Sequence, residues 1–516
     1  MRETQRIAIN SMAMYLKMIL SLFITFFSTR IVLDNLGITD FGIFNLVAGA
    51  ISLLGFVNGS MSNTVQRFLA YELGHGDLSR LRKLVSISLL MHFAIGIGLV
   101  LVLELLGMIA FDYFFVIDQE RIESAKLAYH FMIGVTFLST ISSPLAACIY
   151  AHEDIVMFAV IDFVSSVLKL LAALALCYSS NDRLIFYCAL MLAIQFLYFA
   201  FEMVYCRVKY IECREVNIFK MNKDIRQEVF PFMGWNMLES CSWLIKNQGI
   251  AVLMNTFYGT VVNAAYGIGN QINGQVMYFS STLLGAIRPQ IYKSAGSGNI
   301  EKMISLSVTA AKFSFFVMLL FLCPLFFLLD EILVIWLKDV PDYTERICLL
   351  LLIISLFNYM STSINIAIQA YGNVKKYQLV SSLVILICVP IGYVLYSYST
   401  DVYLFLYIMV VVELLSVIMK YWVAADILKL KFLFLFQSIL IPCLFVFFAS
   451  MLFSYLLSAL ILKEQTFIGS LFFILVDVCM VGNMLYFVGL SQKEKNIVGQ
   501  LINGILNRFK LKKQNG

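Results

Sequence analysis

The chain has 516 residues, of which 61% are hydrophobic and only 13% are charged, and its mean hydropathy is +0.87. A soluble globular protein carries roughly 25% charged residues, so the composition excludes a soluble enzyme or binding domain and predicts a membrane protein. The formal net charge of +5 comes from basic runs that alternate with apolar stretches. That alternation argues against a nucleic-acid-binding surface.

About fourteen apolar stretches of roughly 20 to 27 residues follow one another from Ile7 to Leu490, each long enough to cross a bilayer as a helix. The connectors, of at most roughly 23 residues, are too short to fold as separate modules. The first stretch has no small-residue cleavage site after it, so we expect an uncleaved helix and not a signal peptide. The predicted spans are residues 7–34, 41–68, 84–111, 126–150, 154–178, 183–205, 229–257, 261–288, 305–329, 346–371, 375–397, 401–424, 434–460 and 467–490.

Lysine and arginine concentrate in alternate connectors. Clear cases are Arg80–Lys83, Arg207–Arg226 and the tail Arg508–Lys513. Cytoplasmic loops of membrane proteins retain positive charge, so these connectors and both chain termini are predicted to be cytoplasmic.

An internal repeat relates the two halves of the chain. The segment QRFLAYELGHGDLSRL, at the end of the second span, matches IRPQIYKSAGSGNIEKM, at the end of the eighth. A second match, IYAHEDIVMF with QAYGNVKKYQ, has nearly the same offset of about 221 residues. Two matches at one offset argue against a chance similarity. The first alignment pairs Arg67 with Arg288, Tyr71 with Tyr292, Gly74 with Gly296, Gly76 with Gly298, and Asp77 with Asn299.

The repeat predicts the domain organisation of an all-α polytopic protein. Six spans separate the copies, so both copies keep the same orientation in the membrane and form a parallel repeat. We expect an N-terminal lobe at residues 1–206, a cytoplasmic linker at 207–228 and a C-terminal lobe at 229–424. Residues 425–516 would add a helix pair and a basic tail. This arrangement places a substrate cavity between two six-helix lobes.

Several of these features also carry a family resemblance. The short basic N-terminus, the loop sequence VLDNLGITDFGIFNLV from Val32, the segment RFLAYELGHGD from Arg67 and the number of spans resemble the polysaccharide-flippase branch of the multidrug/oligosaccharidyl-lipid/polysaccharide (MOP) exporter superfamily. Wzx-type flippases of O-antigen and capsule repeat units are the most similar members. The resemblance implies a MATE-like fold and a multi-pass protein of the bacterial inner membrane.

The resemblance also implies a function and partners. The protein would move undecaprenyl-diphosphate-linked oligosaccharide repeat units from the cytoplasmic to the periplasmic leaflet by alternating access, for surface polysaccharide biosynthesis. Its partners would be the lipid-linked oligosaccharide, membrane lipids and a polysaccharide polymerase, and not nucleic acid. No cofactor is expected beyond an H⁺ or Na⁺ gradient.

Two lysines inside spans are candidates for binding the substrate diphosphate. An ionisable group in a span costs at least about 2.5 to 3.5 kcal/mol and usually faces a wet cavity or a partner. Lys17 lies near the middle of the first helix, and Lys246 lies in its counterpart, the seventh. One cation from each lobe would suit a diphosphate. The structural alternative for Lys246 is an ion pair with Glu239, and for Lys17 it is a pair with an acid on another helix, such as Glu239. A pair of Lys169 with Asp162, seven residues earlier, would need a neighbouring helix to bridge them.

Three arginines are weaker candidates for the same pathway. Arg67 and Arg288 lie at the cytoplasmic ends of the second and eighth spans, where a diphosphate gate and a positive-inside anchor would look alike. Arg30, near the outer end of the first span, fits either guidance of the diphosphate outward or a place at the interface.

Uncharged polar stripes on several helices predict contacts with sugar hydroxyls. Amides and hydroxyls can both donate and accept hydrogen bonds, which suits an oligosaccharide. Hydrogen bonding between helices is the structural alternative for each residue. The candidates are Asn10, Ser21, Asn236, Trp243, Asn270, Asn358, Thr362, Asn365 and Gln369.

Intramembrane acids are candidates for ion coupling, because a buried carboxylate can take up a proton. They are Glu239, Asp162, Glu202 and Glu413. The eleven cysteines lie mostly inside spans and show no CxxC or His-paired spacing, so no metal site is predicted.

Two other functions remain open. A drug or small-cation antiporter could use the same fold, and it should place acids in the first-lobe cavity where this chain has lysine. A membrane polymerase or ligase usually needs a sizeable periplasmic loop, whereas the longest connector here is on the basic, cytoplasmic side. The sequence therefore favours a transporter over an enzyme.

Overall fold

Helices make up all the regular structure of the residues that the structure describes, with no β-strand among them. The computed structural model describes residues 3–52, 55–115, 117–178, 182–214, 223–337, 339–462, 467–492, 494–496 and 499. An all-helical chain suits a bilayer because a helix satisfies its own backbone hydrogen bonds. The helices are α1 (Glu3–Ser52), α2 (Gly55–His75), α3 (Leu78–Tyr113), α4 (Ile122–Ala151), α5 (Ile155–Ala175), α6 (Arg183–Lys209), α7 (Lys223–Gly296), α8 (Ile300–Leu337), α9 (Thr344–Tyr371), α10 (Lys375–Tyr398), α11 (Leu404–Leu428), α12 (Phe432–Leu435), α13 (Ile441–Ile461) and α14 (Phe467–Met484).

Within the described part of the chain, 11 helical segments are long and apolar enough to cross a membrane. This is fewer than the about fourteen spans predicted from the sequence. One segment, Ile9–Gly49, covers the first predicted span and the start of the second. The helices α2 and α7, which hold the rest of the second span and the seventh and eighth, are richer in Asn, Gln, Ser and Gly. The all-α polytopic fold class is confirmed, and the chain is a multi-pass membrane protein.

Two glycines divide the longest helices. Gly37 interrupts α1 at φ 78° and ψ 171°, and Gly259 interrupts α7 at φ 84° and ψ −173°. This backbone region is essentially confined to glycine. Each break separates two predicted spans, so α1 and α7 are each two helices in terms of backbone geometry. The breaks are 222 positions apart (259 minus 37), close to the predicted repeat offset.

The same offset relates two helix starts. Gly76 and Gly298 both have positive φ, at 89° and 76°. Before α3, the Oδ1 atom of Asp77 accepts a hydrogen bond from the backbone N–H of Arg80 at 2.9 Å. Before α8, Oδ1 of Asn299 accepts one from the N–H of Lys302 at 3.0 Å. The predicted internal repeat is therefore confirmed in local structure, because aligned residues perform the same capping interaction.

The described residues divide into two compact units. The N-terminal unit comprises Ile9–Ser240 and Gly296–Gly298. In it α4 packs against α2, α3 and α6, and α5 packs against α6. One apolar core contains Val47, Tyr129 and Cys188, all buried.

The C-terminal unit comprises Met1–Ala8, Cys241–Ala295 and Asn299–Gly516. Its α9 packs against α8 and α11, and α13 and α14 pack against α8. Two polar contacts join the end of the chain to α8: Lys312 Nζ lies 2.5 Å from Glu494 Oε2, and the Ser470 hydroxyl donates to Glu331 at 2.6 Å. Residues 215–222 of the predicted linker and the predicted basic tail from residue 501 lie outside the described residues.

The break at Gly37 yields a test of the fold. We expect Gly37→Ala to lower the free energy of unfolding by about 1–3 kcal/mol, because alanine cannot adopt this backbone without strain. The matched control is Gly42→Ala, at a helical glycine where an added Cβ has no neighbour within 4 Å. It should be neutral or stabilising by about 0.5–1 kcal/mol. Unfolding in detergent micelles measures both, and equal effects would contradict the assigned break.

Candidate substrate and ion sites

In the N-terminal unit, Lys17 on α1 forms an ion pair with Asp162 on α5. Their Nζ and Oδ2 atoms are 2.5 Å apart, and the side chains are 12% and 30% exposed. The Ser21 hydroxyl, one turn further along α1, lies 3.4 Å from that of Ser166. The predicted polar stripe of α1 therefore faces α5.

The sequence analysis named an ion pair with an acid on another helix, such as Glu239, as the structural alternative for Lys17. It also considered a pair of Lys169 with Asp162. In the structure Asp162 forms its ion pair with Lys17, and the Lys169 side chain is exposed. The predicted pairing of Lys169 with Asp162 was wrong, because α1 supplies Lys17 as the partner of Asp162.

Asn10, the first residue of the stripe, is buried and donates from Nδ2 to the backbone oxygen of Glu153 at 3.1 Å. Glu153 has a positive φ of 61° in the turn between α4 and α5. The amide thus satisfies a buried carbonyl in an uncommon backbone conformation. This contact is the structural role anticipated as the alternative for Asn10.

Glu202 on α6 is fully buried. Its carboxyl group accepts hydrogen bonds from the hydroxyls of Ser142 on α4 and Tyr198 on α6. Asp162 is near enough for its charge to act on Glu202. Within the described part of the chain, Glu202 has no ion pair with a lysine or arginine. A buried carboxylate in that situation carries a high desolvation cost, which its neutral form avoids.

Arg67 on α2 is buried among aromatic rings, with only 5% exposure. Its guanidinium carbon lies 4.5 Å from the ring centre of Phe68, 4.8 Å from that of Tyr71 and 5.2 Å from that of Phe232. Cation–π contacts of this kind stabilise a buried guanidinium. An interfacial anchor would reach water, so the burial of Arg67 does not fit that alternative.

Other N-terminal candidates make different contacts. Asn236 is buried and donates from Nδ2 to the Thr64 hydroxyl at 3.1 Å. Arg30 is 80% exposed and lies 3.9 Å from Asp34, one turn away. It is roughly 20 Å from Lys17 along the helix axis, so these two cations do not form one site within the unit. Glu239 is half-buried on α7.

In the C-terminal unit, three charged side chains meet among α7 and α11. Lys246 Nζ lies 4.0 Å from Glu413 Oε2, and Lys420 Nζ lies 3.7 Å from Glu413 Oε1. Asn358 on α9 donates from Nδ2 to the same Oε1 at 2.8 Å. All three charged residues are at most 6% exposed. We call Lys246, Asn358, Glu413 and Lys420 the Glu413 cluster.

The Glu413 cluster holds more positive than negative charge. With all three groups ionised, two lysines and one carboxylate give a net charge of +1. Both ion-pair distances are longer than the 2.5 Å contact between Lys17 and Asp162. Lys246 Nζ also lies 4.8 Å from the ring of Trp243, which offers further but weaker stabilisation. An anion bound here would neutralise the excess charge.

The remaining C-terminal candidates hydrogen-bond within the bundle. The Thr362 hydroxyl donates to the Asn358 backbone oxygen at 3.2 Å. Asn365 accepts from Gln378 at 3.3 Å, and Gln369 accepts from the Tyr292 hydroxyl at 2.9 Å. Such contacts are those expected of the structural alternative. Asn270 bonds to Tyr266, and half-buried Arg288 lies near Tyr359.

Lys420 was missed by the sequence analysis. It lies seven residues after Glu413, two helical turns further along the same face of α11. An acid and a base at this spacing inside one apolar span were a usable signal. The cluster of Cys148, His152 and Glu212 was also missed, because its residues come from two separate parts of the chain.

Solved structures with a similar fold include MATE proteins. A crystal structure of a MATE point mutant aligns with a TM-score of 0.72 at 13% identity, and covers 83% of this chain and 98% of that one. An outward-facing multidrug resistance MATE family transporter of the MOP superfamily aligns with a TM-score of 0.71 and the same identity and coverage. A MOP superfamily transporter from Pyrococcus furiosus, described by the reverse polarity of its binding pocket and a suggested different function, aligns at 0.70, also with 13% identity and the same coverage.

These alignments show a MATE-like fold, as the resemblance implied. At 13% sequence identity they show only that the fold is shared. Neither protein-family models nor curated proteins match the sequence.

The charge balance of the Glu413 cluster gives a stability test. Glu413→Gln leaves two buried lysines without their anion and should lower the free energy of unfolding by about 3–5 kcal/mol. Lys420→Met leaves one lysine with one carboxylate and should cost less. Asp426→Asn is the control, because its pair with Lys376 is on the surface and contributes only about 0–1 kcal/mol. Unfolding in detergent micelles gives the ranking, and a larger loss for Lys420→Met than for Glu413→Gln would contradict the excess positive charge.

Proposed function

We propose that the protein is a flippase for undecaprenyl-diphosphate-linked oligosaccharide repeat units. The observation that carries the proposal is the Glu413 cluster, whose buried excess cation is suited to the diphosphate. The proposal places the protein in the bacterial inner membrane with both termini in the cytoplasm. Its partners are the lipid-linked oligosaccharide, membrane lipids and a polysaccharide polymerase.

The chemistry of the cluster fits a diphosphate better than an organic cation. Lysine ammonium groups bind phosphate oxygens as mobile point charges, and the Asn358 amide adds a directional donor. A phosphate group that approaches Lys246 and Lys420 would compete with the Glu413 carboxylate for the ion pairs with these two lysines. A cationic drug would instead meet two like charges, which disfavours binding.

The fold supports transport in preference to catalysis. The MATE-like neighbours include proteins described as transporters. In our proposal the protein carries its substrate across the membrane and breaks no covalent bond. The neighbour from Pyrococcus furiosus, described by a pocket of reverse polarity, is a precedent for altered pocket charge on this fold.

Glu202 is the coupling acid in this proposal. Of the four candidate acids, Asp162 and Glu413 are held by lysines, Glu239 is only half-buried, and Glu202 is fully buried beside hydroxyl groups. Uptake of a proton by Glu202 would remove a buried negative charge next to Asp162. A proton gradient could thereby bias the packing of α4, α5 and α6.

A proton-coupled antiporter of small cationic molecules is the second candidate. Asp162 and Glu202 are two acids near each other in the N-terminal unit, and Lys17 pairs with Asp162, so an unpaired acid there would favour a cationic substrate. One neighbour is a multidrug resistance transporter. This function would leave the Glu413 cluster without a role in substrate binding.

Leaflet transfer in proteoliposomes tests the proposed function. We expect wild-type protein to transfer a labelled undecaprenyl-diphosphate oligosaccharide, and Lys246→Ala and Lys420→Ala to slow transfer at least tenfold, since each removes a charge-assisted contact of about 1.5–3 kcal/mol. Lys169→Ala, which removes an exposed lysine of α5, is the matched control and should be unaffected. Failure of wild-type protein to transfer the lipid, with transport of a cationic dye, would favour the antiporter.

Ion coupling has its own test. In proteoliposomes with an imposed proton gradient, Glu202→Gln should transfer the lipid at the same rate with and without the gradient, because the amide cannot exchange a proton. Wild-type protein should respond to the gradient. Asp162→Asn is the comparison variant, and it should retain the response even if its folding is weakened. A response that survives Glu202→Gln and disappears in Asp162→Asn would reassign the coupling acid.

A further inference from the structure

A second cluster of polar side chains lies at the C-terminal ends of α4 and α6, and it contains none of the residues discussed for transport. The donor atoms of Cys148, His152 and Glu212 all lie within 4.8 Å of one another. Cys213 brings a second thiol, with its Sγ 3.7 Å from that of Cys148. The end of α4 supplies the first two residues, and the turn after α6 supplies the other two.

We propose that Cys148, His152, Glu212 and Cys213 bind a zinc ion. Zinc favours four ligands in tetrahedral geometry, and it accepts thiolate, imidazole and carboxylate donors. The set here contains two sulfur atoms, one nitrogen and one oxygen. The proposal is independent of the substrate that the protein transports.

Two of the distances between donors agree with a tetrahedral ion. Two thiolates at about 2.3 Å from zinc place their sulfur atoms about 3.8 Å apart, and a thiolate and a carboxylate are about 3.6 Å apart. The corresponding separations here are 3.7 Å for Cys148 and Cys213, and 3.9 Å for Cys148 Sγ and Glu212 Oε1. His152 Nε2 and Glu212 Oε1 are hydrogen-bonded at 2.5 Å. They would need to separate by roughly 1 Å, which side-chain rotation can supply.

The surroundings hold the donors in place. The His152 ring stacks on Tyr210, with centroids 4.1 Å apart and planes at 9°. The Tyr210 hydroxyl in turn donates to Asp154 Oδ2 at 2.5 Å, and Lys209 Nζ lies 2.9 Å from the same oxygen. Contacts of this kind orient an imidazole ligand. The His152 side chain is 24% exposed, while Cys148, Glu212 and Cys213 are buried, so an ion could enter from the histidine side.

The internal repeat shows that the fold does not require these donors. At the end of α4, the backbone N–H of His152 bonds to the oxygen of Cys148. At the end of α9, the N–H of Gly372 bonds to the oxygen of Ile368 in the same way. The C-terminal copy therefore closes the corresponding turn with isoleucine and glycine. The presence of two thiols, an imidazole and a carboxylate together in the N-terminal copy is better explained by a ligand than by the turn.

A disulfide between Cys148 and Cys213 would explain fewer of the cluster's residues than a bound metal ion does. The sulfur atoms are 3.7 Å apart, whereas a disulfide bond is about 2.05 Å long. A disulfide would also give no role to His152 and Glu212. The presence of four donors of three chemical types favours metal coordination.

Metal titration of the full-length protein in detergent tests the proposal. Protein stripped by a chelator should bind about one equivalent of Zn²⁺ in competition with a chromogenic chelator. Bound Co²⁺ should show a thiolate-to-cobalt charge-transfer band. Cys148→Ser and His152→Ala should weaken binding by more than about 100-fold, because even outer partners of a metal contribute 10–100-fold.

The matched control is Cys188→Ser, which removes a buried cysteine of the same unit outside the cluster and should leave zinc affinity unchanged. Size-exclusion chromatography shows whether each variant is folded, and the wild-type cobalt spectrum does not depend on any variant. A cobalt spectrum without the charge-transfer band would overturn the proposal. So would equal zinc affinity in Cys148→Ser and Cys188→Ser, or a Cys148–Cys213 disulfide in protein purified under reducing conditions.

Discussion

The cost of an unpaired charge inside an apolar helix bundle is the constraint on which the structure depends. Each ionised side chain in a span costs at least about 2.5–3.5 kcal/mol, so buried lysines are found beside acids. Lys17 has Asp162, and Lys312 has Glu494. The Glu413 cluster departs from this balance, because it holds two lysines for one carboxylate. In the function we propose, the negative charge of the substrate would balance this cluster.

Much of the fold could be predicted from sequence patterns that have a direct physical cause. Apolar length identified most spans, and the repeated segments with Gly76 and Gly298 identified the internal symmetry. The structure explains that repeat by two helix caps and by the breaks at Gly37 and Gly259. Within the described residues, the predicted spans in α2 and α7 are not among the 11 segments apolar enough to cross a membrane, because these helices are rich in Asn, Gln, Ser and Gly.

The candidate site was less predictable, because ion pairs are made between helices. Sequence spacing identified Lys17, Lys246 and Glu413 as unusual, but it gave Lys246 the wrong partner acid in Glu239, and it did not name Asp162 for Lys17. The choice of Asp162 for Lys17 depends on how α1 packs on α5. The proposed zinc ligands show the same limit: Cys148 and His152 are four residues apart, yet Glu212 and Cys213 join them only after α5 and α6 have folded back.

Direct binding of undecaprenyl diphosphate tests the central claim, that the buried excess cation binds an anionic headgroup. Native mass spectrometry of the detergent-solubilised protein can compare this lipid with uncharged undecaprenol, for wild type and Lys420→Met. The account predicts that wild type prefers the diphosphate and that Lys420→Met loses most of this preference, at unchanged affinity for undecaprenol. The same preference in both proteins would show that the Glu413 cluster does not bind the headgroup.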